Sequence, residues 1–386
     1  MIGILYILLS LQNLTLVPIG ENGFKAFHVG IIMLFLVALT RLGKTSDMAV
    51  IYRYLTFVIC VSLIDYIGEP VDPLIANYVL CYVLALSVNS LYAEAEYETT
   101  LKSLRWGAVV ILAISATNVL LHFSEVRTVQ SIDANQGVRP ELPYLVYAGG
   151  ANLEASWIAL AGAFFVRERR LGLLYVLASI FIDYSFISRS GFIATVLVGT
   201  VWFYHNVRSK KLWVLAATIT VIAAGTMNDA SLTSFALFDR FSNVGSEPGS
   251  LGRLLMWAYI PDAFLKHPFF GYGAGNAINS IRDLGFNGLE NNVHNYFFHN
   301  VLEFGPLGLI LWLLLLLGVM RIRAKPELRT YCGSFLLLSM IEFRGAEPLL
   351  YFVLSILIIG KLTNDDKQQS RTQQQAVLPD AAEPLN

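Results

Sequence analysis

An all-α fold of about twelve membrane-spanning helices is what this 386-residue sequence predicts, and three observations carry that expectation. Hydrophobic residues make up 55% of the chain and charged residues only 14%, whereas soluble domains carry about 25% charged residues. The apolar residues come in blocks of about 15–20 separated by short polar hinges, the length that crosses a bilayer as a helix. Lys and Arg crowd into every second hinge, as the positive-inside rule requires of a polytopic protein. The 27 Lys and Arg nearly balance 28 Asp and Glu, and no basic tract is interleaved with aromatics, which excludes nucleic acid as a partner. Cys60, Cys81 and Cys332 lie in or beside apolar blocks without CxxC or zinc-finger spacing, and read as inert buried thiols.

In order, the spans fall over residues 2–18, 24–40, 48–67, 74–91, 106–121, 148–166, 171–187, 191–207, 212–226, 302–320, 330–343 and 348–362. The first has neither a basic n-region nor a small-residue cleavage site, so it reads as a retained helix. The second ends at Arg41 and Lys44, the fourth leads to Lys102 and Arg105, and the sixth ends at Arg167, Arg169 and Arg170. The eighth ends at Arg208, Lys210 and Lys211, the tenth at Arg321 to Arg329, and the last at Lys361, Lys367 and Arg371. These hinges hold seventeen of the basic residues against nine on the opposite side, with Arg53 inside the third span. The basic side is therefore expected to be cytoplasmic, with both termini there and an even number of spans. Residues 1–363 form a single polytopic domain on this reading, and 364–386, rich in Gln, Asp and Pro, form a disordered cytoplasmic tail. Two outer segments, 122–147 and 227–301, exceed an ordinary connection. The larger one is expected to be ordered, because 251–265 shows helical spacing of apolar residues around Trp257.

The outer arginines are the first candidates for chemistry. Arg189 sits in the hinge Ser188-Arg189-Ser190-Gly191, where pulling an unpaired cation to the bilayer centre costs about 2.5–3.5 kcal/mol. It either pairs with Asp183, snorkels to lipid phosphate, or forms an anion site whose planar fork of donors matches phosphate oxygens. Arg240, Arg253 and Arg282 add cations in the long loop. Arg253 and Trp257 are four apart on one helical face, as either a held cation or a solvated charge with an interfacial aromatic anchor. The stretch from Glu290 through His294, Asn295, His299 and Asn300 leads into Glu303, Gly305 and Gly308. His294 has the side chain suited to general-base work near neutral pH; alternatively His294 and Asn295 saturate a helix start. A metal site is not expected, since His294 and His299 are five apart rather than four. Asn152 and Glu154, about a turn inside the sixth span, and Glu342 with Arg344 at another outer end serve function or an internal pair. The string from His267-Pro268 to Gly275 reads as a backbone device, because Pro and three glycines make a tight turn.

Taken together, these residues resemble the bacterial O-antigen polymerase and O-antigen ligase superfamily of membrane glycan transferases. The strongest likeness is His294-Asn295, nine residues, Gly305, two residues, Gly308. With Gly near 7% of residues, two at fixed offsets follow a given His by chance about once in 200. Weaker likenesses, in the expected order, are Gly149 to Asn152, Ser188 to Gly191, and Arg253 to Trp257 followed by His267-Pro268 and Gly271-Tyr272-Gly273. The resemblance implies transfer of a saccharide from an undecaprenyl-pyrophosphate carrier at the periplasmic face of the inner membrane, without cofactor or metal. It also implies that Arg189 and Arg253 hold the donor pyrophosphate and His294 activates the acceptor hydroxyl. Arg240, Arg282, Asn152, Glu154, Glu290, Asn295, Trp257 and Arg344 are then substrate-binding candidates. The leading expectation is a repeat-unit polymerase, whose acceptor is a lipid-linked repeat unit and whose partners include membrane lipids and a chain-length regulator. The alternatives are a ligase acting on lipid A-core and a lipid-linked saccharide transporter. An enzyme calls for a concave outer site joining Arg189, Arg253 and His294; a transporter calls for charges near the bilayer midplane.

Overall fold

The computed structural model describes residues 1–17, 24–39, 48–65, 73–93, 95–126, 142, 144–207, 248–288, 292–322, 325–341 and 345–361. Span 212–226 and the tail 364–386 lie outside the described residues.

The first helices are α1 (Ile2–Ser10), α2 (Ala26–Ala38), α3 (Ala49–Asp65), α4 (Pro73–Tyr92) and α5 (Tyr97–Leu121). Between α1 and α2, strands β1 (Thr15–Val17) and β2 (Phe24–Lys25) pair antiparallel. This corrects the expected first span. The helix stops at Ser10, and the β-branched Thr15 and Val17 pair with the chain returning at 24–25. At 1.5 Å per residue, its nine residues reach only about 14 Å, less than half the hydrocarbon core.

Helix α6 (Ala151–Ala161) continues as a 3₁₀ turn over Gly162–Phe165, and α7 (Arg169–Phe186) and α8 (Arg189–Asn206) follow. Beyond the undescribed stretch come three short helices, α9 (Pro248–Trp257), α10 (Ile260–Lys266) and α11 (Ala277–Arg282). The single amphipathic helix expected over 251–265 is thus two, divided at Ala258-Tyr259, with Pro261 opening the second. The last helices are α12 (Tyr296–Met320), α13 (Pro326–Ser339) and α14 (Pro348–Ile359). Among the described residues, three helices are long and apolar enough to cross a membrane: Leu74–Tyr92, Tyr97–Leu121 and Tyr296–Met320. The segments 26–38, 49–64 and 348–359 are shorter apolar helices.

Helices α6 and α14 form the centre and are buried on nearly every face. An all-round apolar helix with no solvent face belongs in such a position. Where α1 crosses α5, Gly3 and Gly107 lie in close contact, and a Cβ on either would run into the facing helix. Outward-facing Met33 and Leu36 of α2, Leu174 and Leu177 of α7, and Ile310 and Leu314 of α12 make an exposed apolar surface that water would not tolerate and lipid does. Cys60 is exposed on this surface, not buried as expected, because its position on α3 turns it outward; Cys81 and Cys332 are buried.

The helix ends collect at two opposite ends of the bundle. At one, here the basic end, Arg105 pairs with Glu168 at 2.7 Å and donates to the Phe164 carbonyl, while Arg167 pairs with Glu98 at 2.6 Å and Glu327 at 2.5 Å. Burial opposes the Arg167 charge, but Glu327 and Glu98 more than offset it, so its pKa is raised. Lys325, buried at the same end, donates to the carbonyls of Leu357, Ile358 and Gly360 at 2.7–2.8 Å, so its charge serves the orphan carbonyls at the end of α14. The other end holds the C-termini of α1 and α5, the starts of α4, α6, α12 and α14, and the three short helices.

Candidate active site

The segment from 292 to 308 is where the sequence pattern becomes geometry. Asn295 caps α12, its Oδ1 accepting the amides of Phe297 and Phe298 at 3.0 and 3.2 Å. Gly305 interrupts the helix at φ 67°, ψ −174°, a backbone region open to glycine alone. Pro306 then starts the second half, where its missing amide costs nothing. The break frees carbonyls, and the glycine string satisfies them: Tyr272 N donates to Leu302 O at 2.8 Å and Gly273 N to Glu303 O at 2.9 Å. The Gly275 amide reaches the buried Glu303 carboxylate at 2.7 Å, and His299 Nε2 lies 3.0 Å from the same oxygen. Gly271, at φ 75°, approaches the break so closely that a Cβ would strike the Leu302 carbonyl. The glycine string is a backbone device, as the sequence indicated, and its task is to dock the outer segment onto a broken helix.

The described part of that outer segment has its own apolar cluster, with Met256, Ile260, Ala263, Ile281, Phe286, Val293 and Leu302 among its members. Trp257 Nε1 donates to the Val293 carbonyl at 2.8 Å, and its ring meets Phe298 edge-on at 5.4 Å. Trp257 therefore fixes the backbone immediately before His294 rather than acting as a free interfacial anchor. Arg253, one turn earlier on α9, is half-buried. Arg282, at the end of α11, is exposed.

Among the described residues only two that are not glycine adopt a positive φ: Ile187 at 50° and His294 at 53°. For a β-branched residue such as Ile187 this is strained, and strain of this kind persists where the surroundings impose it. Ile187 ends α7 directly before Ser188, whose Oγ accepts the Gly191 amide at 3.1 Å and opens α8 at Arg189. Asp183, the expected partner for Arg189, is buried and accepts the Thr195 hydroxyl at 2.6 Å. Ser190 hydrogen-bonds Ser156 at 3.1 Å, which ties this hinge to α6.

Glu154 is buried and accepts the Val146 amide at 2.6 Å, the Tyr147 amide at 3.1 Å and the Ser115 hydroxyl. It pins the turn leading to Ala148 and Gly149, and with Asn152, also buried, it belongs to the framework under that turn. Beside this turn opens a cavity of about 300 Å³, walled by His294, Asn292, Gln12, Lys25, Asn77 and Glu347, with apolar surface from Leu9, Phe27, Leu74 and Leu153. The structure thus brings together Trp257, His294, Asn295 and the Glu154-pinned turn. Among the described residues the cavity lining includes neither Arg189 nor Arg253. Arg240, Glu290, Glu342 and Arg344 lie outside the described residues. Sequence reasoning missed Gln12, Lys25, Asn77 and Glu347. Only Glu347, a carboxylate beside the Pro348 that starts an apolar span, carried a local signal.

These features define a helical membrane protein with a polar cavity at one end of its bundle and a small helical segment docked beside the helix that follows His294. Residues 171–313, less than half of the chain, match a family model described as O-antigen ligase. The match takes in Arg189, Arg253, the glycine string, His294, Gly305 and Gly308, and over this segment the resemblance to the O-antigen ligase and polymerase superfamily is borne out. No curated protein matches the chain.

Proposed function

We propose that the chain is a membrane glycan transferase that moves a saccharide from an undecaprenyl-pyrophosphate carrier, acting as a repeat-unit polymerase with the cavity end facing the periplasm. The observation that carries this is His294, a residue of the matched segment held in a left-handed conformation on the wall of a polar cavity. The clustering of arginine-rich hinges at the opposite end supports a cytoplasmic placement for that end. In the reaction, the acceptor hydroxyl oxygen forms the new bond to the donor sugar's C1 as the bond from C1 to the pyrophosphate oxygen breaks. His294 takes the hydroxyl proton, and the lipid pyrophosphate leaves with the electron pair. Charge grows on that leaving group, and Arg189 and Arg253, outside the cavity lining but inside the matched segment, are the guanidinium groups assigned to meet it.

The test is complementation of a strain lacking its O-antigen polymerase and of one lacking its ligase, in hosts making an acceptable repeat unit, with glycan ladders read on gels. Restored laddering in the polymerase-null strain, lost in Arg189→Ala, Arg253→Ala and His294→Ala, is the expected result. Rescue of the ligase-null strain alone would make lipid A-core the acceptor. Rescue that survives all three substitutions would remove the mechanism.

A further inference from the structure

The cavity beside His294 carries more polar groups than the proposed chemistry uses. His294 and Asn292 come from the matched segment, but Gln12, Lys25, Asn77 and Glu347 lie outside it. We propose that this cavity receives the sugar unit that accepts the transfer, and that Gln12, Lys25 and Asn77 select which sugar that is. The inference rests on the transferase reading above and names one substrate's place within it.

Three features fit a saccharide. At about 300 Å³ the cavity is at the small end of ligand sites, suited to a sugar unit and far too small for a polyprenyl chain. Its wall sets one carboxylate, Glu347, against one ammonium, Lys25, so it offers no excess of positive charge for a pyrophosphate. Its polar groups are amides, one amine, one carboxylate and one imidazole around the apolar faces of Phe27 and Leu74, a set that suits vicinal hydroxyls on one side and sugar C–H on the other. The Gln12 Oε1 already accepts the Ala148 amide at 3.3 Å, which leaves its NH₂ as the group for a ligand.

The position of these residues separates selection from chemistry. The matched segment supplies the imidazole and both arginines. The lining residues Gln12, Lys25 and Asn77 come from the chain just after α1, from β2 and from the start of α4, all outside that segment. Substituting them would change which hydroxyl-bearing ring is held without touching the group that removes its proton.

The probe is the free repeat-unit saccharide released by mild acid from the surface polysaccharide of the protein's own host. Its binding to the full-length protein in detergent is followed by saturation-transfer NMR. Asn77→Leu and Lys25→Met are expected to weaken binding at least tenfold. In transfer assays they raise KM for the acceptor about tenfold and leave kcat within about twofold, while Asn77→Gln restores part of the affinity. Thermal unfolding in detergent confirms that each variant is folded, and Gln12→Glu is a second, smaller change at the same wall. Unchanged binding and unchanged KM in Asn77→Leu and Lys25→Met would overturn the assignment, as would a fall in kcat alone. Lost binding in the variants together with no rescue of either null strain by wild type would remove the transferase reading and leave a saccharide site.

Discussion

Gly305 and Gly308, the two glycines spaced from His294, each have a separate physical reason. Gly305 occupies a backbone region where a side chain costs about 1–3 kcal/mol, and a Cβ there would also meet the Phe269 carbonyl oxygen. Gly305→Ala should therefore lower stability by about 3 kcal/mol or more, read as a shift in thermal unfolding in detergent. An unshifted transition would mean that the break is not fixed by this contact. Gly308 lies on the second half of α12, where added bulk would press on Phe304 of the first half and on Asn300. The spacing of His294, Asn295, Gly305 and Gly308 was legible in the sequence as a pattern. Its cause was not, because the carbonyls freed at Gly305 are satisfied by Tyr272 and Gly273, and nothing local announces that pairing. Gln12, Lys25 and Asn77 were illegible for the same reason. Each is an ordinary polar residue near a helix end, and only the bundle brings them to one wall.

The hinge at Val293-His294 is held by α9 and α12 together. The hydrogen bond from Trp257 to Val293 is one net interaction of about 1 kcal/mol, but it fixes the residue adjoining a strained His294. Trp257→Phe keeps the aromatic contact with Phe298 and removes the donor. It is expected to cost about 1 kcal/mol in stability and to lower kcat for glycan transfer by about tenfold, a displacement of the base well beyond what stability alone would give. Equal activity per folded molecule would show that the hinge holds without the indole. The ordered outer segment, α9 to α11, was readable from its apolar spacing. Its division at Ala258-Tyr259 was not, because the periodicity continues across the break while Pro261 restarts the helix. Helix α1 misled for the opposite reason: Leu14, Leu16 and Val17 prolong an apolar run that the structure spends on a strand.

Across the whole molecule, the cavity and the ion-pair network lie at opposite ends. The cavity end carries His294 and the outer helices, while the basic end carries a chain of contacts from Arg105 through Glu168 and Glu327 to Arg167 and Glu98. Tyr97 adds a hydrogen bond to Glu327 at 3.1 Å. Glu327→Leu leaves Arg167 with half its partners and should cost about 3 kcal/mol, checked by thermal unfolding and by a double-mutant cycle with Arg167→Met. Transfer activity per folded molecule should be unchanged, since this carboxylate stands at the far end of the bundle from the proposed chemistry; a matching loss of kcat would tie the two ends together. The apolar blocks and the alternation of basic hinges made the helical membrane architecture readable from the sequence. The carboxylates that neutralise those hinges were not, because each belongs to a different helix.

The separation of these partners along the chain sets an order of events. Arg167 and Glu327 are 160 residues apart, and at about 5–20 residues per second of synthesis the arginine waits roughly 10–30 s before this carboxylate exists. During that interval Glu98, already synthesised, is the one of its two carboxylate partners that Arg167 can meet. Once Glu327 arrives, the same guanidinium joins the first helices to a late one, so the clasp at this end is completed only near the end of synthesis.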